Sequence, residues 1–142
     1  MRASVVAGVS GERDGPVLAV AAVIAGGKGM VVAHVEERSA LVDTNLATGA
    51  ASGALAAAST ELSDRCDLDS ELALAGRSVE WRFAVRAGEP AAELIRVVQD
   101  SGASFLVVGC NRPRLGLRRR KGSTVLQLLA RSPVPVIVVP LS

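Results

Sequence analysis

The sequence predicts an α/β fold, a single doubly wound sheet of five parallel strands with helices on both faces. Three observations carry that expectation. Four short aliphatic runs, SVVAGV at 4–9, MVVAHV at 30–35, FLVV at 105–108 and PVIVV at 135–139, are continuous rather than alternating. Strands buried on both faces read that way. Segments with helical spacing, punctuated by glycine and proline, lie between the strands. Finally, 142 residues, 49% hydrophobic and 21% charged, suffice for one packed domain without internal repeat or linker. With aromatics at 2% (Trp81, Phe83 and Phe105), the core must come from Val, Leu, Ile and Ala.

Taken in order, Ser4–Val9 is a buried strand ending in Ser10-Gly11. Asp14-Gly15-Pro16 is a helix start with proline in the first turn, Val17–Ala25 the helix, and Gly26-Gly27-Lys28-Gly29 its stop. Met30–Val35 follows as the second strand, completing a βαβ unit whose crossover is right-handed. Glu36 to about Thr48 has no period and reads as a loop. From Gly53 to Ala75 the spacing of Leu55, Ala58, Leu62, Cys66, Asp69 and Leu72 is helical, with Gly76 as its stop. Val79, Trp81, Phe83 and Val85 alternate with Glu80, Arg82 and Ala84, the period of a strand with one drier face. Gly88-Glu89-Pro90 opens the helix Ala91–Asp100, buried through Leu94, Ile95, Val97 and Val98 and stopped by Gly102. Phe105–Val108 is the fourth strand, Gly109 a turn out of it, and Gly122-Ser123-Thr124 the start of a helix to about Arg131. Pro135–Val139 is the last strand, placed at a sheet edge.

Composition excludes several function classes. Two cysteines and one histidine cannot make a disulfide framework or a Cys/His zinc site of the usual ligand count. Few aromatics argue against base-stacking nucleic-acid modules. The longest uncharged aliphatic run, Gly15–Gly27, has 13 residues, against roughly 20 for a membrane span. Gly11-Glu12-Arg13-Asp14 interrupts the apolar N-terminus where a signal peptide would continue, so the expectation is a cytoplasmic chain without membrane association. Cys66 and Cys110 are then free thiols serving packing. His34 reads as a packed histidine, and Asp64, Asp67, Asp69 and Glu71 as a solvated helix face.

The net charge of +2 conceals an asymmetry: residues 112–121 (RPRLGLRRRK) hold six of the sixteen cations and no acid. That run reads either as a solvated loop or as an anion site. In doubly wound sheets, ligands bind beyond the carboxyl ends of the strands where the winding reverses. If strands one and four meet there, Ser10-Gly11 faces the stretch Gly109–Gly122 across a crevice. Gly122-Ser123-Thr124 would offer free backbone N–H groups, the positive end of a helix dipole and two hydroxyls, a combination that suits phosphate.

The stretch RAGEPAAELIRVVQDSGASFLVV at 86–108, followed by Gly109, a loop, Gly122-Ser123-Thr124 and SPVPVIVV at 132–139, resembles the universal stress protein family. The resemblance implies a Rossmann-like fold of the adenine nucleotide alpha hydrolase type. It also implies an adenine nucleotide such as ATP, with Mg²⁺ only if ATP is bound, and a homodimer paired through Pro135–Val139. Nucleotide-binding members carry G-x-x-G, nine residues, then G-[S/T]. Here Gly109 and Gly122-Ser123 keep the spacing, while Arg112 followed by Pro113 replaces the second glycine. The strand-one end, Gly8-Val9-Ser10-Gly11, has Ser10 where the family often has an acid, and Val35 matches the backbone that meets adenine. By that mapping Gly109, Gly122, Ser123 and Thr124 hold phosphates, Arg112 and Arg114 neutralise them, and Ser10 and Val35 address the nucleoside. Catalytic motifs such as Ser-His-acid, H-E-x-x-H or GK[ST] do not occur, which leaves weak ATP hydrolysis as the most that is expected. The other reading is a nucleotide-free dimer acting as a protein-interaction module with an unidentified protein partner.

Overall fold

The computed structural model describes residues 2–37, 49–111 and 124–141, with backbone only for Glu37 and residues 49–59. Among the described residues nine elements follow one another: β1 (Ala3–Val9), α1 (Gly15–Ala25), β2 (Gly29–Glu37), α2 (Gly49–Leu74), β3 (Trp81–Gly88), α3 (Pro90–Ser101), β4 (Phe105–Asn111), α4 (Thr124–Arg131) and β5 (Val136–Leu141). The strands form one sheet in the order β3-β2-β1-β4-β5. Every pairing is parallel, with Val9 opposite His34 and Gly8 opposite Val108. Chain winding therefore reverses between β1 and β4, and β5 lies at an edge.

Alternation along each strand divides the core in two. Val5, Ala7 and Val9 of β1, with Met30 and Val32 of β2, pack under α1 and α2. Val6, Val31 and Ala33 pack on the other side with Leu94, Val97, Val98 and Leu128 of α3 and α4. Val5, Val6, Val31 and Leu106 are fully buried, and each such side chain contributes about 1.5–3 kcal/mol of transfer free energy. Proline stands in the first turn of both α1 and α3, and Gly102 ends α3 in the left-handed region at φ 68°.

Several boundaries and faces differ from the sequence reading; α2 starts at Gly49 and not Gly53, and the last strand spans Val136–Leu141 and not Pro135–Val139. The second strand runs on to Glu37, so Glu36 is strand and not loop. The third begins at Trp81, leaving Val79 outside it, and Val85 on its supposed dry face is 45% exposed because β3 is an edge. The fourth strand continues to Asn111, so Gly109 lies within it rather than turning out of it. A Cβ on Gly109 would stand 2.7 Å from Leu141 Cδ1 and 3.0 Å from Val17 Cγ2, so its role is close packing. On α2 the buried face is Ser63, Cys66, Ser70 and Leu74, whereas Leu62, Leu68 and Leu72 are exposed. Packing against β2 selects that face, and the serines satisfy themselves: Ser70 Oγ donates to Cys66 O at 2.6 Å, and Ser63 Oγ to Glu36 Oε1 at 2.7 Å.

Candidate functional site

A crevice of about 490 Å³ opens where the winding reverses, over the carboxyl ends of β1, β2 and β4. Of the residues singled out from sequence, Gly8, Val9, Ser10, Val35, Gly109 and Thr124 line it. Gly11 is not among the lining residues; it turns at φ 91°, and a Cβ there would meet Leu62 Cδ1 at 2.6 Å. Arg112, Arg114, Gly122 and Ser123, like the whole run 112–121, lie outside the described residues. Gly8 keeps the crevice floor low, because a Cβ would press Val108 Cγ1 at 3.1 Å and Leu94 Cδ1 at 3.3 Å. Thr124 stands at the first turn of α4, where N–H groups are unsatisfied by the helix itself.

Asp14 is the residue that sequence reasoning undervalued. It was legible only as a helix start, yet its carboxylate makes no cap to α1. Instead it reaches back to the loop after β1, where Ser10 N–H donates to Oδ1 at 3.0 Å and Gly11 N–H to Oδ2 at 2.7 Å. These bonds hold the rim of the crevice in one conformation. Asp14 is 8% exposed, and burial pushes its carboxyl above the ordinary value of 3.8, although the two N–H bonds pull the other way. The useful signal was its position three and four residues past Gly11 and Ser10, the reach of a side chain that closes a turn on its own backbone.

His34 also lines the crevice and is 4% exposed. Its Nδ1 lies 3.1 Å from Val9 O and 3.6 Å from Cys66 Sγ. A carbonyl only accepts, which assigns the proton to Nδ1 and leaves Nε2 as an acceptor in the neutral ring. Nε2 is buried and has no hydrogen-bond partner among the described residues. Beside it, burial first, then the charges of Asp14 and Asp69, push the Cys66 thiol up to about 11. A thiol so protonated is a packing group and not a nucleophile.

The arrangement combines apolar walls from Leu62, Leu94, Val108, Val125 and Leu141 with a few convergent polar groups, the usual build of a small-molecule site. Among the described residues no group of three or more His, Cys, Asp or Glu is placed to hold a metal ion. No described helix is long and apolar enough to cross a membrane.

Comparison with known proteins agrees with the fold. A hypothetical protein, MJ0577, whose biochemical function was assigned from its structure, superposes with a TM-score of 0.76 at 16% identity, covering 100% of this chain and 98% of that one. A universal stress protein solved in complex with cAMP gives 0.59 at 22% identity, covering 97% and 96%. The universal stress protein from Archaeoglobus fulgidus in complex with dAMP gives 0.57 at 21%, covering 98% and 99%. No curated protein matches the chain. The model of the universal stress protein family, however, matches residues 1–140, and on that match the chain belongs to the universal stress protein family.

Proposed function

We propose that this protein binds an adenine nucleotide of the ATP type in the crevice between the ends of β1 and β4, and acts by binding rather than by turnover. The observation that carries the reading is the crevice itself, a 490 Å³ space at the winding reversal of the sheet. Its volume falls within the range of small-molecule sites. Family relatives solved with cAMP and with dAMP support the adenine class. In this reading Val35 and Ser10 address the nucleoside. Gly109, Thr124 and the flanking Gly122-Ser123 receive phosphates, with Arg112 and Arg114 neutralising them. Mg²⁺ would enter with ATP, carried chiefly by phosphate oxygens, since Mg²⁺ needs only one or two protein carboxylates. Nucleotide binding would reshape the basic run 112–121 and so alter what it contacts.

Calorimetry and thermal unfolding of the full chain with ATP, ADP and AMP test the proposal. Heat of binding and a rise in Tm are expected. No heat and no shift at millimolar nucleotide would overturn it. Phosphate release from bound ATP, lost in Ser123→Ala, would mark a weak ATPase instead.

A second reading, a nucleotide-free dimer serving protein interaction, draws support from the edge position of β5. Dimers that persist while every nucleotide fails to bind would favour it.

A further inference from the structure

We infer that Glu36 is the crevice's acceptor for the sugar hydroxyls of its ligand, so that the site prefers a ribonucleotide to its 2′-deoxy counterpart. The inference rests on the nucleotide reading above and adds a residue to it.

Glu36 stands at the carboxyl end of β2 and lines the crevice. Period two places it on the same face as His34, under α2. Ser63 and Cys66, one turn apart on α2, meet Glu36 and His34, two residues apart on β2, so helix and strand match in register. Ser63 is 7% exposed and its hydroxyl donates to Glu36 Oε1 at 2.7 Å. That bond fixes one oxygen of the carboxylate from a buried anchor. Glu36 is half-buried, so its carboxylate is reachable from the crevice it lines.

A carboxylate can only accept, so the occupant must bring donors to this end of the crevice. A ribose offers two adjacent hydroxyls, matched to a group with two oxygens. An acidic side chain past the second strand of a doubly wound sheet takes ribose hydroxyls in the same way in dinucleotide sites. The sheet order supports the polarity. Glu36 is on β2 and Thr124 follows β4, with β1 between them. Two strand spacings, about 10 Å, therefore separate the acidic end from the helix start that suits phosphate.

Calorimetry with AMP, dAMP and IMP on the full chain tests this. Wild-type protein is expected to bind AMP at least about tenfold more tightly than dAMP, the size of one lost hydrogen bond to a charged group. Glu36→Gln should collapse that ratio toward one while leaving the AMP-to-IMP ratio unchanged, and Ser63→Ala should reduce it partway. Equal binding of AMP and dAMP by wild type overturns the inference, and that comparison needs no variant. So does a preference that survives in Glu36→Gln, or a change confined to the AMP-to-IMP ratio, which would move Glu36 to the base. Binding of AMP without sugar discrimination leaves the nucleotide reading standing; failure of all three nucleotides to bind removes that reading and this one together.

Discussion

Asp14 shows how a single carboxyl can serve the site while opposing the fold. Its carboxylate accepts from Ser10 N–H and Gly11 N–H in the partly exposed turn after β1, so the side chain stabilises the rim. Burial nonetheless raises its carboxyl above 3.8, which means the folded state holds the proton more tightly than the unfolded chain does. The sign follows directly. Above the raised value the ionised group weakens folding, and that penalty is relieved as pH falls through the window between the raised value and 3.8. Paired carboxylates behave in the opposite way. Urea unfolding of wild type and Asp14→Asn across pH 4 to 7 checks this, the variant having no group to titrate at that position. The stability of wild type relative to the variant should rise as pH falls; a difference that stays flat or declines would show that the N–H bonds, and not burial, dominate the carboxyl.

At the scale of elements, the strands and the second helix were legible, but the buried face of that helix was not. Runs such as MVVAHV and FLVV are almost wholly apolar because both faces are covered, and the sequence reading took strands one and four as neighbours only as a condition, which the sheet order meets. The buried face of α2 escaped because it carries Ser63 and Ser70, polar residues whose hydroxyls are satisfied within the structure, while Leu62, Leu68 and Leu72 face solvent. Periodicity of apolar residues cannot find a face built that way. The crevice was legible as a place, through Ser10 and Gly109, but its polar furniture was not. Asp14 looked like a helix start, and Glu36 like the beginning of a loop. Gly109 was singled out for the wrong physical reason. It is a point where β4, β5 and α1 converge, with Leu141 Cδ1 and Val17 Cγ2 inside the reach of a Cβ. Gly109→Ala should therefore cost about 1–3 kcal/mol by overpacking, with no change of backbone conformation. Chemical denaturation measures it. A neutral substitution would mean that Leu141, near the chain's end, yields freely.

For the whole molecule, the feature of greatest consequence is the β5 edge. Among the described residues the strand pairs with β4 alone. Val136, Ile137 and Val138 along it are half-buried, and α4, which packs beside it, turns out Leu126 and Leu129 at 57% and 56% exposure. An apolar edge flanked by exposed leucines is a surface that pairs unless something blocks it. The proposed homodimer, joining two copies along β5, would bury both features at once and extend the sheet across the twofold axis. Sedimentation velocity over a range of protein concentrations is expected to show a dimer that dissociates on dilution. Val138→Lys, a charge on the edge strand, and Leu129→Glu, on the exposed face of α4, should each weaken that dimer by tenfold or more, roughly 1.4 kcal/mol. Leu129 is mostly exposed in the single chain, so its replacement should leave the circular dichroism and the crevice unchanged. A wild-type protein that stays monomeric at 100 μM, or a dimer indifferent to both changes, would send the interface elsewhere. In that event the edge would need a different guard, and Pro140, which removes one backbone donor from β5, is the only one the strand itself provides.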